Sequence, residues 1–187
     1  MRSKLISYFG EQQTPFYYYD LDLLNQNLSA LKAASDNRGF EVHYAVKANA
    51  NLEVLKTILK NGLGADCVSG KEVECVTQIG FPNKDIVFAG VGKTDKEINY
   101  ALGQDIFCFN VESTAELQVI NDLAYAKNKM ARVALRLNPN VNANTHAYIT
   151  TGLEENKFGI NFWELEDVLE LLKSTSNIEL KGIHFHI

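Results

Sequence analysis

The sequence predicts an α/β fold, a parallel sheet with helices packed outside it. Three observations carry this. Short β-rich runs alternate with amphipathic stretches after about residue 40. Helix-start signals stand at the head of several of those stretches. Glycines stand just past their ends, where a left-handed residue is wanted.

The β-rich runs are Val42–Val46, Ala65–Val68, Ile86–Ala89, Ile106–Phe109, Val133–Leu137 and Ile183–Ile187. The stretches between them are Leu52–Lys60, Lys71–Ile79, Asp95–Leu102, Ala115–Lys127 and Trp163–Lys173. Ser69-x-x-Glu72, Thr94-x-x-Glu97 and Ser113-x-x-Glu116 each fit a capping box, in which a cap side chain and a glutamate satisfy each other's free backbone N–H groups. Asn161-x-x-Glu164 is a weaker version. Gly62, Gly80 and Gly103 are the expected helix terminators. Ahead of these units, Phe16–Asp20 reads as a strand of a different layer and Leu21–Ala34 as a helix. Periodicity leaves two closures open, a doubly wound sheet or a (β/α) barrel.

The chain has 187 residues, about one domain's worth, with 46% apolar and 22% charged residues. That excludes a disordered, collagenous or low-complexity chain. A net charge of −5 supplies no electrostatic footprint for nucleic acid or an anionic membrane. No run approaches the roughly 18 apolar residues of a membrane-spanning helix, and residues 1–10 do not read as a secretory signal. Cys67, Cys75 and Cys108 are odd in number and lack Cys-x-x-Cys spacing, which fits a reducing compartment. The expectation is a cytoplasmic protein acting on a small molecule.

Gly90-Val91-Gly92-Lys93-Thr94 invites comparison with a phosphate loop, but a Walker loop needs glycine where Val87 stands and a dinucleotide fingerprint needs it at Asp95. Lys47, in Tyr44-Ala45-Val46-Lys47-Ala48-Asn49, lies at the C-terminal end of an apolar strand, on the face shared with His43 and Ala45. In a barrel that end is the mouth where chemistry is kept. There a desolvated lysine can serve as an amine nucleophile, although a surface lysine just past the strand fits the periodicity equally well. Asp66 ends the next strand and could keep such a centre protonated; Glu72, a turn later, has its main explanation in the capping box. Arg136 sits between apolar strand residues and needs a partner if buried. A long irregular loop, 138–156, carries His146 and Thr150-Thr151-Gly152 and leads into Lys157-Phe158-Gly159. His184 and His186 share one face of the last strand, the spacing of a metal site in barrel hydrolases, but further ligands at other strand ends are scarce.

Taken in order, Tyr44–Asn49, Gly64–Glu72, Phe88–Thr94, Asn110–Leu117, Leu135–Pro139, Thr145–Gly152 with Lys157–Ile160, and Gly182–Ile187 resemble the diaminopimelate decarboxylases. These are pyridoxal-phosphate enzymes with the fold type III, alanine-racemase-like barrel. Ser69-Gly70-Lys71-Glu72 departs from the family's Ser-Gly-Gly-Glu. The resemblance implies pyridoxal 5'-phosphate as cofactor and conversion of meso-diaminopimelate to L-lysine and carbon dioxide. It implies Lys47 as the residue bonded to the cofactor and His186 as the ring stacked on it. Asp66 and Arg136 form a charged network around the lysine, with His184 one layer below. It further implies a partial (β/α)8 barrel, about six of eight strands, over residues 22–187. Residues 1–21 would carry a strand that joins a C-terminal β-domain absent from this sequence. The full-length enzyme would be a homodimer, and the fragment inactive alone. A related decarboxylase of ornithine, arginine or carboxynorspermidine, a non-catalytic pyridoxal-phosphate carrier, and a metal-dependent hydrolase using His184 and His186 are the alternatives.

Overall fold

The computed structural model describes residues 2–139 and 158–186. Within them the chain runs α1 (Arg2–Gly10), α2 (Leu21–Asp36), β1 (His43–Ala45), α3 (Leu52–Lys60), β2 (Gly64–Cys67), α4 (Gly70–Ile79), β3 (Ile86–Phe88), α5 (Asp95–Gln104), β4 (Cys108–Val111), α6 (Thr114–Ala126), β5 (Ala131–Arg136), α7 (Leu165–Ser174) and β6 (Ile178–His184). All six strands lie in one sheet in the order β1-β2-β3-β4-β5-β6, each pair parallel. A doubly wound sheet reverses its strand order at a switch point. This one never reverses, so of the two closures the order selects the (β/α) barrel, of which six strands form an arc.

Strand alternation sorts the residues onto two faces. Ala65 and Cys67 of β2, and Val133 and Leu135 of β5, are buried in a core shared with Leu55, Ile58, Val73, Ile98, Leu117 and Ile120 of the outer helices. Each fully buried side chain of this kind stabilises the fold by about 1.5–3 kcal/mol. Asp66, Ala134 and Arg136, at the alternate positions, line cavities on the concave face instead.

The helix starts behave in two ways. Thr94 and Glu97 form the reciprocal capping box. At Ser69 and Ser113 the cap oxygen accepts from the glutamate N–H, as expected. The glutamate itself reaches one residue further back, Glu72 to the Val68 N–H at 2.7 Å and Glu116 to the Glu112 N–H at 2.7 Å. Each glutamate thereby ties the first residue past a strand to the helix that follows.

Four expectations need correction. Gly103 lies inside α5, and the left-handed residue that ends this helix is Asp105. The fourth and sixth strands are displaced, to Cys108–Val111 and Ile178–His184, because polar residues within them (Asn110, Glu179 and Lys181) mask the pattern. Residues 16–20 form no strand: β-rich composition makes a strand only where a neighbouring backbone can pair. Instead Phe16 and Tyr18 pack on Phe9 of α1, a helix the sequence reading did not anticipate, at centroid distances of 5.6 and 5.0 Å. Asp20 caps α2 through the Leu23 N–H. His146, Thr145–Gly152, Lys157 and Ile187 lie outside the described residues.

Candidate active site

β1 stops at Ala45, two residues short of Lys47. Residues Val46–Ala48 make a 3-10 turn closed by the Asn49 N–H on the Val46 carbonyl. Val46 is fully buried and anchors the turn, which lifts Lys47 out of the strand and onto the rim. The lysine is therefore exposed at the C-terminal end of the sheet instead of continuing the face of His43 and Ala45, as the alternation had suggested.

The rim surrounds a cavity of about 530 Å³. Lys47, Asp66, Arg136, His184 and His186 all line it, so the structure brings the five candidate residues to one place. Register explains the convergence. Ala45 pairs with Asp66 across β1–β2, and Arg136 pairs with His184 across β5–β6. Phe88, Phe158 and the backbone of Gly90-Val91-Gly92 complete the wall.

Arg136 finds its counter-charge in Glu112, a residue the sequence reading passed over. Val111 pairs with Leu135, so the next residues of the two strands, Glu112 and Arg136, are neighbours at the mouth. The Arg136 Nη1 donates to both carboxylate oxygens of Glu112, at 2.8 and 2.9 Å, and both side chains are nearly buried. Glu112 also accepts the Gly90 N–H at 3.2 Å. Phe158 lies over the guanidinium, 5.6 Å from ring centroid to Cζ, a cation–π arrangement. Gly159 permits this approach: at φ +95° it has the conformation glycine favours, and a Cβ there would stand 2.9 Å from the Arg136 carbonyl oxygen. A carboxylate just beyond the end of β4, next to Arg136 in register, was the available signal for Glu112.

Lys93 does not behave as a phosphate-loop lysine. Its ammonium is buried, donating to the carbonyls of Gly90 and Asn110 and to Glu116, at 2.7, 2.9 and 2.6 Å. It thus pins the Gly90–Gly92 wall from behind. Two of the thiols are held in the unreactive protonated form: burial pushes Cys108 up to about 12 and raises Cys67 as well.

Burial, and then the Arg136 guanidinium, hold His184 below the ordinary histidine value, so its ring is neutral at neutral pH. Asp66 shifts the other way. Burial raises its carboxyl above the usual value; Lys47, His43 and His186 pull against that, and Glu72 adds to it. A raised carboxyl contributes stability below its unfolded value of about 3.9, and that contribution is lost as pH rises through the native value. At pH 7 the Asp66 charge therefore works against folding. Asp66→Asn is expected to raise the melting temperature of the cofactor-free protein at pH 7. The gain should shrink as pH falls toward about 4. Thermal scans across that range check it, and a melting temperature unchanged or lowered at pH 7 would contradict it.

Two features of the site fit pyridoxal phosphate. The cavity offers a primary amine beside aromatic and cationic walls, which suits a planar aldehyde with anionic substituents. Asp66 Oδ1 and His184 Nδ1 are buried without a protein hydrogen-bond partner, as groups that meet bound water or a polar ligand would be. A metal centre has less to build on: among the described residues no three His, Cys, Asp or Glu side chains gather to hold an ion.

A parallel barrel with a lysine at its mouth and a carboxylate, an arginine and two histidines around it defines a pyridoxal-phosphate domain. The family model for the pyridoxal binding domain of pyridoxal-dependent decarboxylases matches residues 21–187, and the chain belongs to that family. It is 54% identical over 183 residues to the diaminopimelate decarboxylase of Bacteroides thetaiotaomicron, covering 97% of this chain and 47% of that protein. It is 42% identical over 177 residues to that of Campylobacter jejuni, covering 95% and 44%. Among solved structures, diaminopimelate decarboxylase from Helicobacter pylori complexed with L-lysine superposes with a TM-score of 0.87 at 38% identity, covering 98% of this chain and 46% of that one. The Paramecium bursaria Chlorella virus arginine decarboxylase gives 0.82 at 28% identity, covering 100% and 47%. The chain spans about half the length of the curated relatives it matches. Among the described residues no helix is long and apolar enough to cross a membrane.

Proposed function

We propose that this chain is the cofactor-binding part of an enzyme that decarboxylates meso-diaminopimelate to L-lysine and carbon dioxide. The observation that carries the reading is the convergence of Lys47, Asp66, Arg136, His184 and His186 on one cavity. The 54% identity to a diaminopimelate decarboxylase supports the substrate. In this reading residues 22–187 form the barrel segment, residues 1–21 face a second domain, and the whole enzyme is a cytoplasmic homodimer.

Pyridoxal phosphate, when bound, supplies an electron sink for the electron pair freed as carbon dioxide leaves. The chain's own residues do the rest. Lys47 offers its amine at the rim to hold the cofactor. The same amine, free at the rim, would be placed to move a proton. Asp66 places a negative charge beside that amine. His186 lies at the end of β6 where its ring can cover one face of the cofactor. Arg136, fixed by Glu112 and Phe158, presents a permanent positive charge at the cavity wall. Neutral His184 accepts or donates a hydrogen bond below it.

The reading is tested by fusing the chain to the remaining half of the Bacteroides relative and supplying pyridoxal phosphate. The fusion is expected to release carbon dioxide from meso-diaminopimelate and form L-lysine, while the 187-residue chain by itself forms none. A folded, cofactor-loaded fusion that forms no lysine overturns the reading. Carbon dioxide from arginine in place of diaminopimelate moves it to the arginine branch.

A further inference from the structure

Beside the active-site cavity, with which it shares Asp66 and His184, the sheet face carries a second, more open cavity of about 450 Å³ that reaches down to His43 and Phe107. Barrel interiors are ordinarily filled by branched apolar side chains. Here Cys108, Ala134 and Gly182 leave room, and His43, Asp66 and His184 line the space from β1, β2 and β6. Each of these three carries a buried polar atom with no protein hydrogen-bond partner: His43 Nε2, Asp66 Oδ1 and His184 Nδ1. A buried polar atom left without a partner is costly, so three around one cavity call for a shared explanation.

The His43 ring is held in place. It stacks on Phe107 with centroids 6.5 Å apart and planes 21° from parallel. It also lies across Gly64, its register partner on β2, where a Cβ would stand 2.4 Å from His43 Cδ2 and 2.6 Å from Nε2. The ring thus occupies space that any other residue at position 64 would fill. Asp66 follows two residues later on the same face of β2, one step nearer the mouth. A cavity of this size with several convergent polar atoms meets the conditions for bound water.

We propose that this compartment is hydrated, and that His43 acts through bound water as a positioning residue for the Asp66 carboxylate beneath Lys47. Three orphaned atoms then become one network, and Gly64 has a reason to be glycine. The groups facing Asp66 are Lys47 from the turn after β1, His43 from β1, Glu72 from α4 and His186 from the end of β6. Those facing His184 are Arg136, Glu112, Lys93 and His186. The inference concerns the chain's own side chains and stands whichever amino acid is the substrate.

The test uses the cofactor-free 187-residue chain, with neither cofactor binding nor turnover in the readout. The Asp66 carboxyl is titrated by carbon-13 NMR in the wild type, His43→Phe and His43→Gln. Phenylalanine keeps the stacking on Phe107 and removes the hydrogen bond; glutamine restores a polar group. His43→Phe is expected to raise the Asp66 midpoint by about one pH unit, the effect of losing a hydrogen bond to a charged group. His43→Gln should recover most of that. An unchanged midpoint in His43→Phe overturns the proposal. Equal shifts in both variants assign the change to packing and overturn it too. If His43→Phe does not fold, the wild type decides: a nuclear Overhauser effect from long-lived water to the His43 ring supports the network, and its absence overturns it.

Discussion

Lys47→Ala is expected to abolish the visible absorbance that the chain acquires when mixed with pyridoxal phosphate. That absorbance requires a covalent bond between the cofactor's aldehyde and a lysine amine, so the variant removes the signal entirely. Of the two lysines that line the cavity, Lys47 stands exposed on its turn while Lys93 is buried with three acceptors around its ammonium. To react, Lys93 would have to leave Glu116 without its partner and release the Gly90–Gly92 wall. Borohydride trapping followed by peptide mapping should place the adduct on Lys47 in the wild type. Lys71→Ala, on the exposed side of α4, should leave the absorbance as it was. A Lys47→Ala protein that keeps the absorbance at the same cofactor concentration would move the covalent link to another residue and sink the assignment.

The alternation of β-rich and amphipathic segments made the parallel sheet legible, because strand and helix periods differ and each helix start carries a cap. The closure of the sheet was not legible in that pattern. Both candidate folds alternate strand and helix, and only the unreversed order β1 to β6 separates them. Of the two placements the periodicity left open for Lys47, on the face of His43 and Ala45 or just past the strand end, the structure shows the second. A turn of three residues does not announce itself where Val46 and Ala48 keep the run apolar. Glu112 escaped because a carboxylate after a strand ordinarily reads as a solvated loop residue, and its partner Arg136 is 24 residues away in sequence. Lys93 drew attention as a phosphate binder because its Gly-x-Gly-Lys setting is local. Two of its three acceptors, the Asn110 carbonyl and Glu116, lie 17 and 23 residues away, and no local motif shows them. Local chemistry was readable; pairings across strands were not, except where register could be inferred from strand ends.

Glu112→Ala is expected to destabilise the protein by about 3–5 kcal/mol, the usual effect of removing one partner of a buried ion pair. The carboxylate side chain is 4% exposed and the guanidinium side chain 11%, so little water can replace what is lost. Arg136 would then keep its charge with no counter-ion, and the Gly90 N–H would lose its acceptor as well. The surface pair Lys56–Glu53 provides the contrast, with side chains 53% and 64% exposed. Breaking it should cost about 0.5 kcal/mol or less, since solvent screens such pairs. Urea denaturation midpoints measure both, and a loss below about 1 kcal/mol for Glu112→Ala would contradict the assignment of a desolvated pair. The double variant Glu112→Leu with Arg136→Met should recover most of the stability, because apolar residues that fill the same space need no counter-charge. The same double variant should bind pyridoxal phosphate more weakly than the wild type at equal stability. An ion pair that apolar residues can replace without loss of folding is not explained by folding. Its geometry accounts for it instead: Glu112 takes one nitrogen of Arg136 and Phe158 covers the guanidinium face, which fixes the positive charge at the wall of the cavity that Lys47 also lines.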